Sequence, residues 1–135
     1  MIHLLVRLGG GLVYALPVDA VREVVPYKQP RRLPSAEPYL LGAVAVRGSV
    51  VSVHDVGPLL GGGPTPEPTV VAVLAADEHH GIVLEGVDGM RELEPPPAKR
   101  GAVLRGLVAD GDDALALLDG KELLRALAPP RRRTT

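Results

Sequence analysis

Short runs of valine, leucine, alanine and isoleucine, broken by glycine and proline, make up most of the chain. Apolar runs of four to eight residues bounded by turn residues predict β-strands. Ile2 to Leu8 and Leu12 to Val18 predict an opening hairpin around Gly9-Gly10-Gly11. In the segment Val18 to Tyr27, Val18, Val21, Val24 and Val25 fit a short helical turn as well as a strand. Lys28 to Pro38 holds three prolines and no apolar period, and reads as a loop. Tyr39 to Val46 and Val50 to Val56 predict a second hairpin around Arg47-Gly48-Ser49. Four glycines and four prolines between Gly57 and Thr69 exclude regular structure, and this stretch reads as a crossing between two halves of the chain.

The second half repeats the style of the first. Val70 to Ala76 and Ile82 to Val87 predict a third hairpin over Asp77-Glu78-His79-His80-Gly81, continued by a short strand from Met90 to Leu93. Glu94 to Arg100 reads as a long loop. Ala102 to Ala109 and Ala114 to Leu118 predict a fourth hairpin. Asp119 with Glu122 three residues on has the spacing of a capping box. Leu123, Leu124 and Leu127 give the apolar stripe of a short helix over Asp119 to Ala128, with a further turn near Asp19 or Ser35. Residues 129–135 read as a flexible basic tail. Some ten short strands and one helix predict an all-β chain folded as two small barrels rather than one large sheet. "GAVAVRG" at 42–48 and "GAVLRG" at 101–106 echo one another, each followed by a strand ending in Asp and then a Leu-Leu pair.

Composition sharpens this. Hydrophobic residues are 46% of the chain but aromatics only 2%, with no Phe or Trp, so the core must be aliphatic, and Val and Ile suit pleated surfaces. A net charge of −1 advertises no polyanionic partner. The absence of cysteine excludes disulfides and thiolate chemistry. No apolar run reaches a membrane span of about 18 residues, and the N-terminal run lacks a signal peptide's basic region, so no direct membrane insertion is expected and the cytoplasm is the default location. The chain lacks Asn and favours Arg over Lys, which fits a GC-rich genome or a hot habitat alike.

The polar residues give little chemistry. His79 and His80 stand beside Asp77 and Glu78, but neighbours on a strand point to opposite faces, so a polar turn is expected and no metal or other cofactor. His54-Asp55 is two-thirds of a triad with no nucleophile in an elbow. Neither glycine triplet precedes a phosphate-loop Lys. The basic clusters at Lys28, Arg31 and Arg32 and at Arg131 to Arg133 lack stacking aromatics, so no nucleic acid is expected. Arg47 reads either as a solvated turn residue or as a rigidly held donor fork offered to a partner, with Gly48 as the structural turn glycine.

Several stretches together resemble the CheW-like family of bacterial chemosensory adaptors. "YALPVDAVREVV" at 14–25 resembles its opening and "LPSAEPYLLGAVAVRGSVVSVHDV" at 33–56 its central signature. "GIVLEGVDGMREL" resembles a later strand, and "LRGLVADGDDALALLDGKELL" the closing hairpin and helix. Ala45-Val46 stand where the family pattern has Asn-Leu, Ser52 where Pro is common, and Val56-Gly57 where Leu-Arg is usual. The resemblance implies two intertwined five-stranded SH3-like barrels forming one domain over residues 1–128. It also implies no catalysis, and a scaffold role at cytoplasmic receptor arrays near the inner membrane. The implied partners are the chemoreceptor cytoplasmic tip and the regulatory domain of a CheA-type histidine kinase. Arg47 falls on its receptor-associated arginine, Gly42 on the preceding glycine, and Val21 and Glu23 on strand positions associated with receptor contact. The alternative is a generic small β-barrel interaction module, for instance in pilus-motility signalling. With aliphatic strands throughout, an exposed aliphatic groove between the barrels is expected, with Val21 and Val44 as liners.

Overall fold

The computed structural model describes residues 1–9, 12–35 and 37–127; the expected tail, Ala128 and the centre of the first glycine turn lie outside them. Ten strands form two five-stranded sheets. They are β1 (Ile2–Arg7), β2 (Val13–Pro17), β3 (Val21–Pro26), β4 (Leu40–Val46), β5 (Ser49–His54), β6 (Val70–Leu74), β7 (His80–Leu84), β8 (Gly86–Glu92), β9 (Leu104–Asp110) and β10 (Asp113–Leu118). One helix, α1 (Gly120–Leu127), follows. The first sheet has the order β8-β1-β2-β10-β9 and the second β3-β6-β7-β5-β4. The all-β reading and its hairpins hold. The ambiguous segment takes both forms, a 3-10 turn at Val18–Ala20 and then β3. The strand expected from Met90 starts earlier, at Gly86, because it leaves the second sheet to pair with β1.

One expectation fails. The Gly/Pro-rich stretch between β5 and β6 does not cross between halves, since both strands lie in the second sheet. The chain crosses instead at Val18–Ala20 and at Glu85, where short tight connections suffice. Glycine and proline exclude regular structure but do not say where a chain goes next.

The alternation of side chains explains the aliphatic composition. Leu5, Ala15, Leu115 and Leu117 fill the inside of the first sheet, and Val51, Val53, Val71 and Val83 the inside of the second. The residues between them in sequence, among them Val6, Tyr14, Leu16, Ala72, Leu74, Ile82, Leu84 and Leu118, form a third layer between the sheets, capped by Leu123 and Leu127 of α1. Five strands are thus buried on both faces and lose the apolar–polar alternation of a half-exposed strand.

The two sheets are built alike. Each contains one parallel pair, β2 with β10 and β5 with β7. In β4, Leu40 pairs with His54 and Gly42 with Val53, leaving Leu41 as a bulge. In β9, Leu104 pairs with Leu118 and Gly106 with Leu117, leaving Arg105 as a bulge. Every partner differs by 64 in number (106 − 42, 117 − 53). The same offset relates Val44 to Val108, Asp55 to Asp119, and Leu59-Leu60 to Leu123-Leu124. The echo in the sequence is therefore a structural repeat, but it sets Gly42 against Gly106 rather than Gly101. Read from β8 through β10 and on to β1 and β2, the first sheet is a circular permutation of the second.

The equivalent aspartates have diverged. Asp119 caps α1, accepting from the Glu122 N–H at 3.1 Å. Asp55 is buried and accepts from the Gly57 N–H (3.0 Å), the Thr65 N–H (2.8 Å) and the Thr65 hydroxyl (2.8 Å), pinning the long loop to the core. His54 is buried beside it but points elsewhere: its Nε2 lies 3.1 Å from His80 Nδ1, and its Nδ1 has no partner. His80 in turn faces Asp77 at 3.6 Å. Burial, and secondarily the neighbouring His80, push the His54 pKa from 6.5 down to about 4.

Two stability measurements follow. Asp55→Ala strands three buried donors on Gly57 and Thr65 and should lower the unfolding free energy by about 3 kcal/mol, whereas Asp119→Ala removes one cap contact and should cost about 1 kcal/mol. Urea melts of both variants check this, and equal losses would contradict it. For His54, the unfolded chain takes up a proton near pH 6.5 that the folded chain refuses until about pH 4. Its contribution is therefore whole above pH 6.5 and lost as the pH falls to 4, by about 3 kcal/mol at most. His54→Gln should flatten this limb of the stability–pH curve.

Candidate functional site

The β4–β5 hairpin closes with Val46 paired to Ser49, so Arg47-Gly48 is a two-residue turn. Arg47 has φ 50° and Gly48 φ 79°, the two positive values that a type I′ turn demands. Glycine takes this conformation freely, and a Cβ at Gly48 would meet nothing within 4 Å, so only backbone strain opposes substitution there. Arg47 is the one non-glycine residue with positive φ among those described. A left-handed L-residue costs about 1–2 kcal/mol, yet the turn keeps an arginine where Asn or Gly would fit better.

Its guanidinium reaches across to β3, where Nη1 forms an ion pair with Glu23 Oε2 at 2.6 Å. Glu23 is aimed at this point by a register shift in β3: Val21 pairs with Leu74 but Glu23 with Val73, leaving Arg22 as the extra residue. Such a bulge redirects side chains. Arg22 uses its freedom to pair with Glu78 on the β6–β7 turn. β3 and β4 are the two edges of the second sheet, so the Glu23–Arg47 pair links the edges at one end. Toward the other end the loop after β3 is tied to β4 by backbone hydrogen bonds, Arg31 N–H to Ala43 O and Ala43 N–H to Arg31 O, both 2.8 Å. Gly42 lets this second link form: a Cβ there would stand 2.1 Å from the Arg31 carbonyl oxygen, and its φ is 148°.

Two hollows flank the ion pair. A polar one of about 140 Å³ is lined by Arg22, Glu23, Arg47, Ser49 and Glu78 over Val46, Val51 and Val73. An apolar one of about 150 Å³ lies in the seam between the edges, lined by Val25, Pro26, Val44, Ala45 and Val46 with Lys28 and Arg47 at its rim. Arg47 is 77% exposed and Glu23 20%.

Of the residues singled out in the sequence, Arg47, Glu23 and Val44 converge at this seam. Gly42 is buried and supports it from behind. Val21 faces the other way and packs against the layer between the sheets. The groove expected between the barrels therefore divides. A groove between the sheets exists, lined by Ala20, Leu74, Ala76 and Leu124, but neither Val21 nor Val44 lines it. Val21 and Glu23, two residues apart, face different sides because the bulge at Arg22 lies between them. Val25 within β3 and Lys28 just beyond it carry no site signal in the sequence, because the sheet order that brings them to β4 is not a local property.

Nothing at the seam resembles a reaction centre. His54 and Asp55 point apart, as described, and His79 turns to the Val50 carbonyl oxygen at 3.4 Å while His80 faces His54 and Asp77. Among the described residues no three His, Cys, Asp or Glu side chains gather as metal ligands, and no helix is long and apolar enough to cross a membrane.

Comparison with known proteins accords with this architecture. A search of curated proteins finds no match. Among solved structures, the fold resembles the scaffolding protein TtCheW from Thermoanaerobacter tengcongensis, with a TM-score of 0.71 at 18% identity, covering 87% of this chain and 83% of that one. The model of the CheW-like domain matches residues 3–128. The chain belongs to the CheW-like domain family.

Proposed function

We propose that the chain is a non-enzymatic adaptor of bacterial chemosensory signalling, coupling the cytoplasmic tips of chemoreceptors to the regulatory domain of a CheA-type histidine kinase. On this reading residues 1–128 act as one recognition unit of two subdomains, at receptor arrays on the cytoplasmic face of the inner membrane. Family membership supports the scaffold role. The observation that carries the site assignment is the Glu23–Arg47 pair. Two residues from separate elements, both singled out by their place in the family pattern, meet on an exposed surface beside an apolar hollow.

The arginine's weight in stability and in recognition can be separated. Arg47→Asn suits a type I′ turn better and should hold or raise stability, by up to about 1 kcal/mol. Arg47→Ala should move stability by no more than about 0.5 kcal/mol. Both should weaken receptor-tip or kinase-domain binding by roughly 2 kcal/mol, about thirtyfold, and Arg47→Lys should rescue poorly because a point charge lacks the planar fork. Gly48→Val should destabilise the fold by about 1–2 kcal/mol through backbone strain. Calorimetric titration of both partners, alongside thermal melts, reads all four variants. Unchanged affinity of Arg47→Asn for both partners would remove Arg47 from the binding surface.

A further inference from the structure

The seam between β3 and β4 has a feature beyond the ion pair. We infer that it is a docking site for an extended, acidic peptide segment that seats one aliphatic side chain between Val25, Val44 and Val46 and places carboxylates on Lys28 and Arg47. The inference rests on the adaptor reading of this surface and names the chemistry of a partner segment there.

Size comes first. A hollow of about 150 Å³ holds one benzene-sized apolar group. It is too small for the face of a helix, which presents anchors over several turns. Ala45 and Val46 offer it only short side chains.

Backbone polarity comes second. Ala43 directs its N–H and C=O away from β5, to Arg31. Outward-directed groups recur every second residue of a strand, so Ala45, opposite Val50, directs its own N–H and C=O into the seam. Among the described residues they have no backbone partner. One free donor and acceptor beside an apolar hollow is what an extended segment uses when it pairs with a sheet edge.

Charge comes third. Lys28 and Arg47 line the hollow, and no acidic side chain does. Glu23 occupies one prong of Arg47, and a guanidinium has five N–H donors, so others remain for an incoming carboxylate. A segment alternating acidic and aliphatic residues matches all three features; a basic one is repelled.

The test uses the full chain and three synthetic peptides followed by amide NMR: Ac-Thr-Glu-Val-Glu-Val-Glu-Thr-NH2, the same peptide with Lys for each Glu, and the acidic peptide with both valine amides N-methylated. The acidic peptide is expected to shift the Ala45, Val46 and Arg47 amides saturably and to slow exchange of the Ala45 amide. The basic and N-methylated peptides should bind at least tenfold more weakly, and Lys28→Ala should weaken the acidic peptide at least threefold. Ala45→Pro should abolish binding, since edge strands tolerate proline; if it unfolds, the N-methylated peptide still decides. No saturable shift at the seam up to millimolar peptide, or equal binding of acidic and basic peptides, overturns the inference. A receptor-tip or kinase-domain fragment that needs Arg47 but leaves Ala45 exchange unchanged overturns it too, while leaving the adaptor reading intact.

Discussion

The layer of aliphatic side chains between the two sheets is the constraint on which the rest depends. β1, β2 and β10 of one sheet and β6 and β7 of the other each give alternate residues to their own interior and the remainder to this shared layer. Each fully buried aliphatic side chain contributes about 1.5–3 kcal/mol, and the shared layer holds twelve buried residues against five and four in the two interiors. Neither sheet could keep its outer face dry alone. The interior of the second sheet leaves little space: at Gly81 a Cβ would press against Val71 at 2.9 Å and Val51 at 3.3 Å.

With the inner strands committed to that layer, the sheet edges are left to be joined by other means. The first sheet links its edge strands through Arg91 of β8 and Asp110 of β9, at 3.2 Å. The second uses the Glu23–Arg47 pair and the Arg31–Ala43 bridge. In both sheets the loop preceding the far hairpin lies across the bulge glycine, Arg31 against Gly42 and Pro96 against Gly106. Arg105 fixes the second of these by donating twice to the Pro96 carbonyl oxygen. The repeat thus preserves backbone devices more faithfully than side chains, as expected when bulges and close approaches, rather than particular polar groups, set the architecture.

Much of this was legible in the chain. Hairpins show because their turns and apolar runs are local, and the terminal helix shows because Asp119, Glu122 and the leucine stripe lie within ten residues. The repeat showed only as an echo, misplaced by five residues, because its true anchors are Gly42 and Gly106, whose meaning is a bulge that pairing alone reveals. The path of the Gly57–Thr69 loop was misread because its destination is set by Asp55 reaching Thr65 across ten positions. At the site, Arg47 and Glu23 were recognised through their place in a family pattern, but their contact was not, since it depends on sheet order and on a bulge at Arg22. Val21 shares that family pattern with them, but the same bulge turns it to the layer between the sheets.

Arg47 is the residue whose placement fold energetics explain least. A largely exposed ion pair contributes about 0.2–1 kcal/mol, while the left-handed backbone that presents it costs about 1–2 kcal/mol. The two nearly cancel, with the balance against arginine, and asparagine or glycine at the same position would remove the cost. Stability therefore does not select this side chain. What the strained turn does provide is position: two paired strands fix the Cα, the bulge brings Glu23 to orient the guanidinium, and the remaining donors stay in solvent beside an apolar hollow. Such strain clusters at functional points, which is why we propose a recognition role for Arg47 beside the apolar seam.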